Sequence, residues 1–468
     1  MSGDLKTQVR DYTEFFMGTV ESIDLQEIKE RPIRLAEGPV RPLASPSRHR
    51  GWLVAVAGAV VVLVFGGLTF LTRQTAPEAP AASQLSPSPT MTTPAPVPSV
   101  PIEGSAAGWS RVPHNEAVFG GEGLPGMSSV IVGGPGLVAV GRDDGDAMVL
   151  TSVDGVTWSR VPHDEAVFGG TGMWDVTAGG PGLVAVGDDA LQNEDWEDGD
   201  AAVWTSVDGV TWSRVPHDED VFGAAFMRSV TAGGPGLVAV GGTEKIRTDG
   251  DAVVWTSVDG VTWSRVAHDE TIFGGPKHQT MFDVVVGGPG LVAVGKEGDK
   301  HAWDNSLDNA AAVWTSVDGF TWSRVPHDET VFGTGGNPRT PTSPGPVMLS
   351  VTAGGPGLVA VGRKAAWTSP DGVTWSRIAD DVTARSFMTG VTAGGPGLVA
   401  VGLGSSGAAA VLTSVDGITW SQAPDDDAVF GSYPDWIYDV TVGGPGLVAV
   451  GNAGGHPAVW VWVAATED

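Results

Sequence analysis

Cysteine is absent from all 468 residues, which excludes structural disulfides, thiolate metal sites and thiol catalysis. Tyrosine is nearly absent, with 3 residues. Positive charge is scarce as well: 26 Lys and Arg stand against 55 Asp and Glu, a formal net charge of −29. The imbalance is local. Residues 1–50 hold eight charges of each sign, whereas from residue 108 onward 17 basic side chains face 45 acidic ones. Such a surface repels phosphate backbones and argues against nucleic acid as a partner. Cations, basic proteins and neutral glycans remain compatible with it. Without disulfides, the body after residue 108 relies on its apolar core alone, which about 355 residues can supply.

What the chain does contain is repetition. Gly-Gly-Pro-Gly-Leu-Val-Ala-Val-Gly occurs seven times unchanged, starting at Gly133, Gly179, Gly233, Gly287, Gly354, Gly394 and Gly443. A recurring unit of roughly 40 to 65 residues predicts a repeat architecture. In the second copy, residues 173–178 read as an inner strand. Gly180-Pro181-Gly182-Leu183 fits a type II turn with Pro second and Gly third. Leu183 to Val186 is apolar without alternation, as in a strand buried on both faces. Residues 202–205 form a third strand, and 211–215 a fourth that alternates like an outer edge. Four antiparallel strands per unit make a propeller blade, so the fold class is all-β, a seven-bladed β-propeller. The two ends complement each other. The body opens on a lone outer strand, residues 109–112, and closes on a third strand, 458–463. Pairing the first with the last closes the ring and removes exposed edges.

Ser-Val-Asp-Gly-Val-Thr-Trp (152–158, 206–212, 257–263) recurs as SVDGFTW at 316–322, SPDGVTW at 369–375 and SVDGITW at 414–420. These segments resemble the Asp-box, or bacterial neuraminidase repeat, of sialidase-like propellers, although each is one residue shorter between Asp and Gly. The resemblance covers about three quarters of the chain. It implies a propeller in which the box is a structural turn away from the binding face. Asp154, Asp208, Asp259, Asp318, Asp371 and Asp416 then fix turns, and Trp158 with its equivalents packs between blades.

Ahead of the repeats, residues 51–72 form an uncharged run of 22 residues (GWLVAVAGAVVVLVFGGLTFLT). As a helix it spans about 33 Å, enough for the hydrocarbon layer. Arg41, Arg48 and Arg50 precede it and Arg73 alone follows closely. The positive-inside bias therefore places residues 1–50 in the cytoplasm and the repeats outside. A cleaved signal peptide would have a shorter apolar core and would not begin fifty residues in. The expected protein is a single-pass cell-membrane protein with an extracytoplasmic propeller at 108–468. Residues 73–107 are rich in Pro, Ala, Ser and Thr and read as a semi-rigid stalk. Residues 11–31 place Phe15, Phe16, Val20, Ile23 and Ile28 on one helical face, a short amphipathic helix in the tail.

Alternating strand direction sorts the connections onto two ends. The Gly-Gly-Pro-Gly and Asp-Gly turns share one end and barely vary. The loops between second and third strands share the other end with the inter-blade links, and these vary, as a binding surface requires. Carboxylates and aromatic rings accumulate there. Trp196, Trp303, Trp436 and Tyr433 are the candidate contacts for a glycan or protein, since aromatic faces beside carboxylates suit sugar rings. Asp143, Asp144 and Asp146 offer oxygen ligands for calcium, and no other cofactor is expected. The Pro-His-Asp-Glu links (His163, His217 and His327, with His114 and His268 as variants) read as single helical turns that Pro starts and Gly stops. No two of these histidines are brought together by the sequence.

The resemblance would also imply sialidase chemistry: three clustered arginines, a Tyr–Glu nucleophile pair and an acidic proton donor. Arg111, Arg160, Arg214, Arg265, Arg324 and Arg377 fall on outer strands, which leaves Arg142, Arg228, Arg247, Arg339, Arg363 and Arg385 for the variable face. Tyr433 and Tyr438 are the tyrosines of the body, and the Arg-Ile-Pro element is missing. The expectation is a binding or scaffold module for a cell-envelope glycan or protein. A sialidase-like glycoside hydrolase and a sensor signalling through residues 11–31 are the alternatives.

Overall fold

The computed structural model describes residues 108–121, 126–189, 199–243, 250–298, 309–333, 345–379, 382–404, 407–424, 426–431 and 435–464. The fold is all-β and propeller-like, a succession of four-stranded antiparallel sheets. Sheet 1 comprises Gly126–Gly133, Gly136–Asp143, Asp146–Ser152 and Trp158–Arg160. The inner strands of sheets 2 to 7 are Gly172–Gly179, Phe226–Gly233, His278–Gly287, Val347–Gly354, Phe387–Gly394 and Trp436–Gly443. Sheets 5 and 6 touch through one backbone pair, Arg363 with Phe387. In sheet 7 the outer position is taken by Gly108–Arg111, which pairs with His456–Val463 so that Trp109 faces Trp462.

The second strand of every sheet explains the apolar run in the repeat. Val184, Ala185 and Val186 have no exposed surface, because each face of the strand meets a neighbouring sheet. The core is divided accordingly into seven shared clusters. Val184 and Val186 of sheet 2 pack with Met227, Val230 and Trp255 of sheet 3. Likewise Val448, Val450 and Val459 of sheet 7 pack with Met127, Leu137 and Trp158 of sheet 1.

One turn differs from expectation. Gly179 pairs with Gly182, so the two loop residues are Gly180 and Pro181, and the positive φ of 56° belongs to Gly180. Glycine at the first central position is the requirement of a type II′ hairpin, whose twist matches the flanking strands, and not of type II. These turns lie beside the Asp-Gly segments of the next sheet: a Cβ on Gly134 would stand 2.8 Å from the Asp208 carbonyl oxygen. There, Asp208 Oδ1 accepts from the amides of Val210 (2.8 Å) and Thr211 (2.6 Å). Trp212 Nε1 donates to the Gly209 carbonyl at 2.9 Å. The same pattern at Asp416 holds its carboxyl down to about 2, chiefly through the Thr419 and Ile418 amides.

The inter-sheet links form one-turn helices at α1 (Glu116–Phe119), α2 (Glu165–Phe168), α3 (Glu219–Phe222) and α4 (Asp427–Phe430). They start on the acid rather than on the proline. Asp164 is the N-cap of α2, its side chain accepting from the Ala166 amide at 3.0 Å, as such residues do. Trp204 on the third strand of sheet 2 donates to the Val167 carbonyl at 2.7 Å and ties this link to the sheet. The tail, the apolar segment 51–72 and the stalk lie outside the described residues. Among the described residues, no helix is long and apolar enough to cross a membrane.

Candidate functional site

Every inner strand carries a β-bulge at the same place. The register slips between Met127 and Ser129, Met173 and Asp175, Met227 and Ser229, Met281 and Asp283, Met348 and Ser350, Met388 and Gly390, and Ile437 and Asp439. A regular strand would send neighbouring side chains to opposite faces. The bulge inserts an extra residue and re-aims it, so that two consecutive residues of a strand face the same space. The inserted residues are Ser128, Trp174, Arg228, Phe282, Leu349, Thr389 and Tyr438. All seven line one cavity of about 390 Å³, together with Arg142, Trp436 and Asn452. The volume lies in the range of small-molecule sites.

The last glycine of the repeated nonapeptide makes room for the bulge. A Cβ on Gly187 would stand 1.8 Å from the Gly172 carbonyl oxygen, and one on Gly141 would stand 2.1 Å from that of Gly126. The invariant segment thus builds the wall on which the variable residues are mounted.

The upper part of the cavity is cationic and aromatic. The guanidinium carbon of Arg228 lies 4.2 Å from the centre of the Trp174 ring, and that of Arg142 lies 5.4 Å from it. Trp174 Nε1 donates to the Asp188 carboxylate. Burial pushes the Asp188 carboxyl up, and the Arg228 charge opposes that rise. Across the cavity Trp436 stacks on Tyr438 with ring centres 6.0 Å apart and planes at 14°. Phe387 meets the Trp436 ring edge-on at 5.4 Å. Burial raises the Tyr438 phenol, whose hydrogen-bond partner is Asn452.

Beneath them runs a belt of alternating Ser and Asp. Asp175 of sheet 2 accepts from Ser129 Oγ of sheet 1 at 2.8 Å and from the Val230 amide of sheet 3 at 2.8 Å. Asp283 of sheet 4 accepts from Ser229 Oγ at 2.9 Å and from the Val351 amide of sheet 5 at 2.8 Å. Asp439 of sheet 7 accepts from the Val130 amide of sheet 1 at 2.9 Å. Each carboxylate therefore staples neighbouring sheets together. Burial drives Asp175 up to about 7 and Asp439 up to about 6, and it raises Asp283. Neighbouring carboxylate charge adds to the rise at Asp175.

A pH dependence follows. Unfolded Asp titrates near about 3.9, so between roughly pH 4 and 7 the folded state binds more protons than the unfolded one. This stabilisation is complete below the unfolded value and is lost as pH rises through about 6 to 7. Partial exposure of the three carboxyls to the cavity moderates its size. The depressed Asp-Gly carboxylates act oppositely and lose their contribution as pH falls toward about 2. Thermal melts should give a higher Tm at pH 5 than at pH 8, and Asp175→Asn should flatten that slope. A Tm that climbs steadily from pH 5 to pH 8 would contradict the assignment.

Of the residues singled out from the sequence, Trp436 lines this cavity, while Trp196, Trp303 and Tyr433 lie outside the described residues. Asp143, Asp144 and Asp146 occupy one hairpin but turn to different partners. Asp143 is buried and pairs with Arg160 at 2.6 Å. Asp144 sits at the tip with φ 49°. The Oδ1 of Asp146 accepts from the Gly170 amide at 2.8 Å. Trp174, Arg142 and Arg228 were not among the candidate contacts. Their signal was present: aligning the seven inner strands shows one freely varying column between Met or Ile and Ser, Asp or Gly. No protein-family model matches the chain, and no curated protein matches it either.

Proposed function

We propose that the seven sheets form a closed seven-bladed propeller of the Asp-box, sialidase-like type, acting as a binding module for a cell-envelope glycan. The chain is held in the membrane by residues 51–72, with residues 1–50 inside and the propeller outside. Several observations support closure. Sheets 7 and 1 share an apolar cluster, Asp439 accepts from the Val130 amide, and the strand Gly108–Arg111 completes the last sheet.

The observation that carries the binding reading is the convergence of all seven inserted bulge residues on one cavity. Repeats that are otherwise near-copies differ where they meet this space. Such variation on a rigid frame is what recognition of an asymmetric ligand needs. In this reading the Trp436–Tyr438 stack is a face for a sugar ring. Arg142 and Arg228 offer guanidinium donors to hydroxyls or a carboxylate, and the Ser/Asp belt takes the hydroxyls that reach the floor. Binding is favoured over hydrolysis by the partner of Tyr438, which is Asn452 and not a glutamate.

The test is a glycan array probed with the full chain in detergent micelles, followed by titration of retained glycans. Trp436→Ala and Arg228→Ala should each weaken binding about tenfold or more, equivalent to about 1.4 kcal/mol. If the array retains nothing, or if both variants bind as tightly as the parent, the reading fails.

A further inference from the structure

The ends of the third strands away from the Asp-Gly turns carry a second, independent constellation. His163 of the link after sheet 1 has its Nε2 3.2 Å from Glu165 Oε2 and 3.6 Å from Asp146 Oδ2. The arrangement repeats at His217, with Glu219 at 3.2 Å and Asp200 at 3.5 Å. It repeats again at His268, with Glu270 at 3.2 Å and Asp251 at 3.8 Å. In each set one nitrogen and two carboxylate oxygens lie within 4.8 Å of one another. We propose that these three Asp-His-Glu sets are binding sites for a divalent transition metal of the zinc class.

Geometry supports this first. A tetrahedral ion with bonds of about 2.0–2.2 Å separates its ligand atoms by about 3.3–3.6 Å, close to the spacings already present. The ligands are also oriented. Asp146 and Asp200 each spend Oδ1 on a backbone amide, Gly170 and Ala224 at 2.8 Å, and direct Oδ2 at the histidine. The imidazoles are packed beside Phe168, Phe222 and Phe273, with ring centres 6.2, 6.3 and 6.4 Å apart. Such outer partners are what fix a metal ligand's direction.

The equivalent place in sheet 7 holds a second imidazole in place of the aspartate. Hairpin position 146 corresponds there to His456, whose ring centre lies 4.9 Å from that of His114. Glu116 Oε2 is 3.0 Å from His114 Nε2. Exchanging Asp for His there leaves the His114–Glu116 contact in place. The same exchange preserves a metal ligand, because imidazole and carboxylate both coordinate zinc-class ions. His456 Nδ1 is moreover shielded from solvent and makes no hydrogen bond. Exposed ion pairs contribute little to stability, so stability alone gives no reason for three ligand types to converge repeatedly. A His with two carboxylates and no sulfur suits zinc, cobalt or nickel and leaves a coordination position for a donor from outside the chain.

The test uses the full chain without a polyhistidine tag, in detergent, stripped with chelator and titrated with Zn²⁺ by calorimetry. Co²⁺ absorption serves as the spectroscopic readout. The triple variant H163A/H217A/H268A should lose three equivalents of metal relative to the parent. Asp146→Asn with Asp200→Asn and Asp251→Asn retains the acceptor for the Gly170 and Ala224 amides, so it decides the matter if the histidine variant misfolds. It should lose the same three equivalents and the ligand-field bands. No Zn²⁺ binding by the parent, or undiminished binding by the folded variants, overturns the proposal. Neither result touches the glycan cavity, whose residues are different.

Discussion

Trp204→Ala should destabilise the repeat body by about 3–5 kcal/mol, the range for removing a fully buried large aromatic. Trp204 has no exposed surface and sits in the cluster shared by sheets 1 and 2, among Val138, Val140, Met173 and Trp212. Its indole nitrogen donates to the Val167 carbonyl at 2.7 Å, so truncation also leaves a carbonyl of the α2 link without its partner. The rigid frame around the cavity would then be loosened at two points. Guanidinium titration of the full chain should show the loss as a lowered midpoint at unchanged slope. Trp204→Phe should recover part of it by refilling volume. A loss below about 1 kcal/mol would mean that the sheets do not share a close-packed interface.

Gly187→Ala is the second large effect, and it reaches function. The added Cβ would stand 1.8 Å from the Gly172 carbonyl oxygen, a backbone atom that cannot rotate away. Overpacking of this kind costs about 1–3 kcal/mol and occasionally more. The strain falls on the bulge that aims Trp174 and Asp175 into the cavity. The variant should therefore be less stable and should also lose glycan retention more steeply than its stability loss alone explains. Gly454→Asn is the control. A Cβ there meets nothing within 4 Å at φ 61°, and Asn tolerates that conformation. Equal behaviour of the two variants would contradict the role given to the final glycine of the repeat.

Much of this molecule was legible in its amino acids because the repeats are so alike. A nonalternating Leu-Val-Ala-Val run bounded by glycines identifies a strand covered on both faces. The Asp-Gly segments carry their own hydrogen-bond partners within a few residues, at Ser206, Asp208, Gly209 and Thr211. Interactions of that range are written along the chain. The hairpin at Gly180-Pro181 was misread for a local reason: which residue takes positive φ depends on where pairing stops, one position earlier than the Pro-Gly pattern implied.

The bulges are hidden by contrast within any one repeat, and only the varying column across the seven inner strands betrays them. Trp174 reads as an occupant of an inner strand and Arg228 as one of the arginines of the variable face, and nothing in their own neighbourhoods aims them at the same space. The pairing of His163 with Asp146 was out of reach for the same reason. The two are 17 positions apart on different elements, and only the hairpin and the link folding back on sheet 1 bring their side chains to 3.6 Å.

Strand number, apolar faces and the local hydrogen bonds of the Asp-Gly turns are consequences of short-range preference, and the linear order of residues was enough to establish them. Which side chains meet, at the cavity and at the three His-centred sets, depended on register and on neighbouring sheets. Those are settled by packing many residues at once, and no segment of the chain holds that information alone.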